Sequence, residues 1–280
     1  MVKGRIRERK NRFTVLVETG GNLIPVYLAN SGRLEELIWP GRECILRKKE
    51  RGLPFRLVAI RWSNFWVSVD SFLPEEFIRK GIERGELSLF QGWKIEEKNH
   101  REEGEEIDFL LSRGEERGYL EVKSSTLVKD KVALFPDAPT IRGKRQVEFL
   151  GRKAEENIPA FLTIVAQRPD ARFFAPYQHR DSSFTSAFYS SLLKGMRLYF
   201  LITTYSPLKD RLLLKEEKKL TLCEVLRADL QLSLKLRVEV REGGLLVSGK
   251  REEIVSRFLR ERNIPGRILS HPEGIFIKLR

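Results

Sequence analysis

Short segments in which apolar and polar residues alternate dominate the first quarter of the chain, the pattern of strands with one face in a core and one in solvent. They predict strands over Arg12–Glu18, Ile24–Ala29, Glu43–Arg47, Phe55–Arg61 and Phe65–Val69. Turns fall at Gly20-Gly21, Ser31-Gly32, Pro40-Gly41 and Gly52, and a helical turn is predicted near Leu34–Ile38. Five such strands suit a small barrel. Beyond Ser71 the period changes. Helix-spaced apolar positions predict helices over Pro74–Arg84, Thr140–Ala154 and Ser182–Lys194, interleaved with strands over Leu89–Ile95, Ile107–Leu111, Tyr119–Lys123, Ala160–Ala166 and Arg197–Thr204. After a charged connection at Lys215–Lys219 come a hairpin signal around Glu242-Gly243-Gly244, an amphipathic helix over Glu252–Arg262 and strands near Arg267–Leu269 and Ile275–Leu279. The chain divides on this reading into a barrel (1–70), a mixed α/β unit (71–207) and a small α+β extension (208–280).

Within the middle unit, one strand carries chemistry. Glu121 and Lys123 project from one face of the predicted strand Tyr119–Lys123 while Leu120 and Val122 point to the other. If that strand pairs with Ile107–Leu111, Asp108 lies roughly 5 Å from Glu121 across the ladder. Two carboxylates and an ammonium then converge, which suits a hard dication such as Mg²⁺ or Mn²⁺ that activates water beside a phosphate. Glu-x-Lys also starts at Glu8, Glu96, Glu216 and Glu217, so the tripeptide alone has no force. Only the Glu121 copy combines an apolar alternating strand, a preceding strand with an acid in place and a following capped helix. A cross-strand ion pair on a solvated sheet face is the plain alternative.

The stretch Tyr119-Leu120-Glu121-Val122-Lys123-Ser124, followed by Phe135-Pro136-Asp137-Ala138-Pro139-Thr140 and Arg142-Gly143, resembles the sugar fermentation stimulation protein A (SfsA) family. Asn11-Arg12-Phe13, Asn30-Ser31-Gly32-Arg33-Leu34, Pro40-Gly41, Ile107-Asp108-Phe109-Leu110-Leu111, Gln167-Arg168-Pro169-Asp170-Ala171 and Phe174-Ala175-Pro176 extend it in order from Gly4 to about Pro207. The resemblance implies an OB-like barrel followed by a PD-(D/E)xK nuclease-like mixed-sheet domain, with DNA binding as the associated activity. On that pattern Asp108, Glu121 and Lys123 are the catalytic candidates, and Asp108, Glu121 and Val122 the metal ligands. Two positions depart from the family: Lys80 stands where relatives carry a glutamate in the first helix, and Glu105-Glu106 where they carry Ser-Arg. Glu76 and Asp137 are candidate auxiliary acids, Asp137 being also an ordinary turn former.

Charge bears on partners. The net +13 divides into +7 over residues 1–70, zero over 71–206 and +6 over 207–280, so the basic footprint sits on the flanks, as expected of a protein docking on DNA or RNA. Candidate contacts are Arg9, Lys10, Arg12, Asn30, Arg47, Lys48, Lys49 and Arg51 on the barrel and Arg142 and Lys144 on the helix after Thr140. Tyr27, Trp62 and Trp66 are candidate stacking surfaces. Two cysteines exclude a disulfide framework or cysteine zinc site, no apolar run is long enough to span a membrane, and the start lacks a signal-peptide pattern. A cytoplasmic protein is expected. No P-loop, Rossmann or Gly-x-Ser-x-Gly motif is present. A metal-dependent nuclease and a non-catalytic DNA-binding or regulatory protein on the same scaffold remain the two readings.

Overall fold

The computed structural model describes residues 1–249 and 251–279. Its first unit comprises β1 (Val2–Asn11), β2 (Thr14–Thr19), β3 (Asn22–Leu28), β4 (Glu43–Lys48), β5 (Phe55–Trp62) and β6 (Phe65–Ser68). The order β3-β2-β1-β4-β5 closes through a β3–β5 pairing, giving a five-stranded OB-like barrel, and β6 pairs with β5. Alternate residues Val15, Val17, Val26, Leu28, Leu46 and Leu57 fill its core. The pattern of hydrophobicity missed β1. Only Ile6 of its ten residues is buried, and the strand is held by ladders to β2 and β4 on its two sides. Gly4 makes the first of these possible, because a Cβ there would sit 2.5 Å from Val17 Cγ1 on β2.

The second unit runs α1 (Phe72–Glu83), a 3₁₀ turn Ser88–Phe90, β7 (Lys94–Glu102), β8 (Glu105–Arg113), β9 (Glu116–Ser125), β10 (Leu127–Lys129), β11 (Val132–Phe135), α2 (Ile141–Glu155), β12 (Ala160–Ala166), β13 (Phe173–Pro176), α3 (Ser182–Leu193), β14 (Arg197–Ser206) and β15 (Arg211–Leu220). Its main sheet has the order β15-β14-β12-β9-β8-β7, with β9, β12 and β14 parallel and the outer strands antiparallel. β12 is buried along its whole length, as a central parallel strand between two helix-covered faces must be. The expected strand Leu89–Ile95 is instead the 3₁₀ turn, and the strand proper is the charge-dense KIEEKNHRE of β7. An edge strand tolerates that composition. β10, β11 and β13 form a separate three-stranded sheet that periodicity did not reveal.

The remaining elements are α4 (Leu222–Leu234), β16 (Val238–Arg241), β17 (Gly244–Ser248), α5 (Glu252–Glu261), β18 (Gly266–His271) and β19 (Gly274–Leu279), with sheet order β16-β17-β19-β18. The expected start of this extension at 208 falls in the hairpin between β14 and β15, so the supposed connection Lys215–Lys219 is the edge strand of the main sheet. Val225, Leu230, Val247, Phe258 and Ile277 share one core with Phe149, Phe184 and Phe188. A buried Arg262–Asp229 pair (Nε–Oδ2 2.7 Å) joined by Tyr189 Oη (2.8 Å) ties α3, α4 and the end of α5 together.

Several polar contacts across long sequence separations fix the barrel against the second unit. Asp137 Oδ2 accepts from Leu34 N–H (2.8 Å), buried Arg168 pairs with Glu36, and Arg47 pairs with Asp210 (2.6 Å). Between the two units lies a cleft of about 600 Å³.

Candidate metal and nucleic-acid site

The cleft floor is built where two strands part. The β8–β9 ladder pairs Phe109 with Leu120, which sets Asp108 opposite Glu121 as the sequence predicts. Beyond that register the carboxylates take over the ladder: Val122 N–H donates to Asp108 Oδ2 (2.8 Å) and Asp108 N–H to Glu121 Oε2 (3.2 Å). β8 then follows β7 and β9 follows β12. The gap left between them opens into the cleft. Lys123 Nζ bridges Glu121 Oε1 and Gln146 Oε1 (2.6 Å to Gln146), while Gln146 Nε2 donates to the Glu106 carbonyl (2.7 Å). Gln146 is buried on the inner face of α2, whose start is fixed by Thr140 Oγ1 accepting from Gly143 N–H (3.0 Å).

Burial governs the charge state here. Glu121, 2% exposed, is pushed up to about 7 by desolvation, which outweighs the opposing Lys123 ammonium. Asp108 is raised by the same cause, again against Lys123. Glu75 on α1 is raised by burial and then by the charge of Asp108. Around the cleft stand five carboxyl side chains, of Glu75, Glu106, Asp108, Glu121 and Asp137, against the three cations Arg12, Lys123 and Arg142. Glu106 is already paired with Arg101 and Arg142, but the two raised carboxyls of Asp108 and Glu121 at one point favour a cation. The donors available are oxygens, suited to a hard dication rather than to zinc or copper. Among the described residues no three His, Cys, Asp or Glu side chains form a complete metal cage, so a cation on Asp108 and Glu121 would keep open positions for a main-chain carbonyl, water or substrate.

Several sequence candidates lie elsewhere. Glu76 pairs with Lys80 and lines a separate groove with Leu73 and Leu212; helix phase brings its neighbour Glu75 to the cleft instead. Asp137 lines the cleft, but its carboxylate is engaged by the Leu34 N–H and acts as a strut between the units. Arg9 is spent on main-chain carbonyls, of Asn11, Arg12, Gly32 and Arg33. Arg47 is occupied by Asp210, whose carboxylate also accepts from Tyr205. Asn30 does line the cleft, but its amide holds its own turn, with Oδ1 accepting from Gly32 N–H (2.8 Å) and Nδ2 donating to the Val69 carbonyl (3.1 Å). Lys10 pairs with Glu8, and Lys144 pairs with Glu148 over a different groove. Lys48 and Arg51 are exposed on the β4–β5 side of the barrel.

The basic candidates brought to the cleft are Arg12 and Arg142, and Lys49 lies 4.2 Å from the centre of the cleft ring Tyr27. Trp62 is sandwiched between Arg42 and Arg168, and Trp66 packs beside the second core, so neither presents a face there. Sequence reasoning missed Gln146, Glu75, Phe13 and Phe72. Gln146 carried a signal: it is a polar side chain on the stripe Gly143, Val147, Leu150 of an amphipathic helix, shared there only with Lys153.

Comparison with known proteins accords with this architecture. The family model described as the SfsA N-terminal OB domain matches residues 8–69, and that described as the sugar fermentation stimulation protein RE domain matches residues 72–209. A sugar fermentation stimulation protein homolog of Methanothermobacter thermautotrophicus is 39% identical over 189 residues, covering 66% of this chain and 79% of the relative. One from Caldanaerobacter subterraneus is 33% identical over 202 residues, covering 71% and 88%. A solved structure, Pyrococcus furiosus SfsA in complex with Ca²⁺, superposes with a TM-score of 0.71 at 24% identity, covering 77% of this chain and 94% of that one. No helix among the described residues is long and apolar enough to cross a membrane. An OB barrel joined to an RE-type domain, matched in order by both family models and by relatives covered over most of their length, places this chain in the sugar fermentation stimulation protein family.

Proposed function

We propose that the protein binds nucleic acid, DNA in the first place, in the cleft and hydrolyses its phosphodiester bonds with a divalent cation, Mg²⁺ or Mn²⁺, held by Asp108 and Glu121 with the Val122 carbonyl. The observation that carries this reading is the buried acid pair: a carboxyl pushed up to about 7 directly across a ladder from a second raised carboxyl, beside a lysine. A fold relative solved with Ca²⁺ supports it. Such a cation, when bound, supplies a hydroxide from coordinated water and draws charge from a phosphate oxygen.

The residues of the chain divide the remaining work. Asp108 and Glu121 are kept close by the two main-chain N–H groups they accept from, so little reorganisation is needed on binding. Gln146 anchors Lys123 from the side away from Glu121, and that leaves Lys123 Nζ a donor poised at the pair for a phosphate oxygen. Arg142 and Arg12 at the rim suit the strand's flanking phosphates. Glu106 pairs with Arg142 (3.1 Å) and leaves that guanidinium partly exposed.

A second reading, binding without turnover, is favoured by two observations: Glu76 is tied to Lys80, and among the described residues Asp108 and Glu121 stand as a pair without a third ligating side chain. The test is cleavage of labelled oligonucleotides by wild type and Glu121→Gln with Mg²⁺, Mn²⁺ or EDTA. Metal-dependent cleavage lost in the variant supports the nuclease. Tight binding with no cleavage in any metal supports the second reading.

A further inference from the structure

The cleft presents two exposed aromatic rings that neither core uses. Phe13 is 44% exposed and Phe72 is 54% exposed, and both line the cleft whose floor holds Asp108 and Glu121. Each is fixed by its backbone. Phe13 sits in the β1–β2 turn, with its N–H donating to Asn11 Oδ1 (2.9 Å) and its carbonyl accepting from Leu28 N–H (2.9 Å). Phe72 opens α1 with its N–H on Asp70 Oδ1 (3.1 Å), and Asp70, fully buried, pairs with Arg56 (3.1 Å). A guanidinium accompanies each ring: Arg12 lies 5.3 Å from the Phe13 centre and Arg56 5.4 Å from that of Phe72. Tyr27, with Lys49 beside it, lies on the same wall.

Resting on the nucleic-acid reading above, we infer that the cleft takes an unpaired strand, with bases stacked on Phe13 and Phe72, rather than an intact duplex. A duplex offers an approaching protein its phosphates and base edges, while the faces of its bases are consumed in its own stack. Phenyl rings gain little there. An unpaired strand exposes base faces, and a flat ring on a rigid turn receives one at low entropic cost, while the Arg12 guanidinium beside Phe13 neutralises a phosphate between bases. The arrangement also gives Arg12 and Arg142 a use: a phosphate at Asp108 and Glu121, where a cation would be held, leaves its neighbours within reach of these two guanidinium groups of the cleft lining.

The test is fluorescence anisotropy with labelled single-stranded and blunt duplex oligonucleotides, in DNA and RNA arms, in Ca²⁺ with the intactness of the probe checked on a gel. Phe13→Ala and Phe72→Ala should each weaken single-strand binding roughly 5- to 150-fold, the range of one lost base stack, and leave duplex binding nearly unchanged. Phe72→Trp should retain affinity and show indole quenching on addition of the single strand beyond that of wild type. A single-strand preference in either arm with these losses supports the inference. Duplex bound as tightly as single strand, or alanine variants at wild-type affinity, overturns it and leaves nucleic-acid binding standing. No binding of any probe by the wild type overturns both.

Discussion

Replacing Glu121 with glutamine should make the metal-free protein more stable above neutral pH while removing its response to divalent cations. Burial holds the Glu121 carboxyl at about 7 against an ordinary 4.5. The folded protein therefore keeps a proton that the unfolded chain has released between those values, so this group's contribution to stability is full below about pH 4.5 and is lost as the pH climbs to 7. The gap corresponds to about 3 kcal/mol at about 1.4 kcal/mol per pH unit. Glutamine keeps the shape of the neutral acid and never carries the charge, and Lys123 keeps its bond to Gln146. In EDTA at pH 8 the variant should melt about 6–12 °C above wild type, given about 2–4 °C per kcal/mol for a chain of this size, and the two should coincide near pH 4.5. Added Mg²⁺ or Mn²⁺ should raise the wild-type melting temperature at pH 8 and leave the variant unmoved. A variant less stable than wild type at pH 8 by the same amount as at pH 5 would refute the reasoning, since Glu121 would then be an ordinary ion-pair partner of Lys123.

Four further outcomes are expected. Lys123→Ala should reduce cleavage at least tenfold while oligonucleotide affinity stays within about twofold, as read by paired cleavage and anisotropy assays, because the side chain acts at the reacting phosphate rather than in docking. Arg47→Ala should cost about 1 kcal/mol of stability in urea unfolding and leave the salt dependence of nucleic-acid binding unchanged, since Arg47 serves Asp210. Arg142→Ala, by contrast, should weaken binding and flatten the salt slope by about one phosphate contact. Truncation after Pro207 should yield an aggregating or molten product by circular dichroism and size exclusion, because it removes β15 from the main sheet and α4 from the core shared with Phe184 and Phe188.

The strand pair carrying the site was legible because both strands are short apolar runs interrupted by a single acid, Asp108 in one and Glu121 in the other, and the register between them follows from facing apolar positions; Asp108 and Glu121 meet where Phe109 and Leu120 lock the ladder. The long parallel strand β12 and the helix capped by Thr140 were legible for similarly local reasons. β1 was not, since its stability comes from ladders on both edges and its ten residues bury a single side chain. The basic runs misled for a related reason. Arg9 and Arg47 read as surface charge, yet guanidinium groups with several donors are well suited to tying loops and domains together, and their partners Gly32, Arg33 and Asp210 are remote in sequence. The choice between Glu75 and Glu76 depended on helix phase against a neighbour that only the folded chain supplies. Phe13 and Phe72 carry no signal in the sequence pattern, and only their exposure in the cleft marks them.

The most direct measurement is an anomalous difference map from crystals of the protein grown with Mn²⁺. The account predicts a peak between the carboxylates of Asp108 and Glu121, within metal–oxygen bonding distance of both, with Lys123 drawn off Glu121 while still held by Gln146. A map without density there at saturating Mn²⁺, and with Lys123 still bridging Glu121 and Gln146, would contradict it.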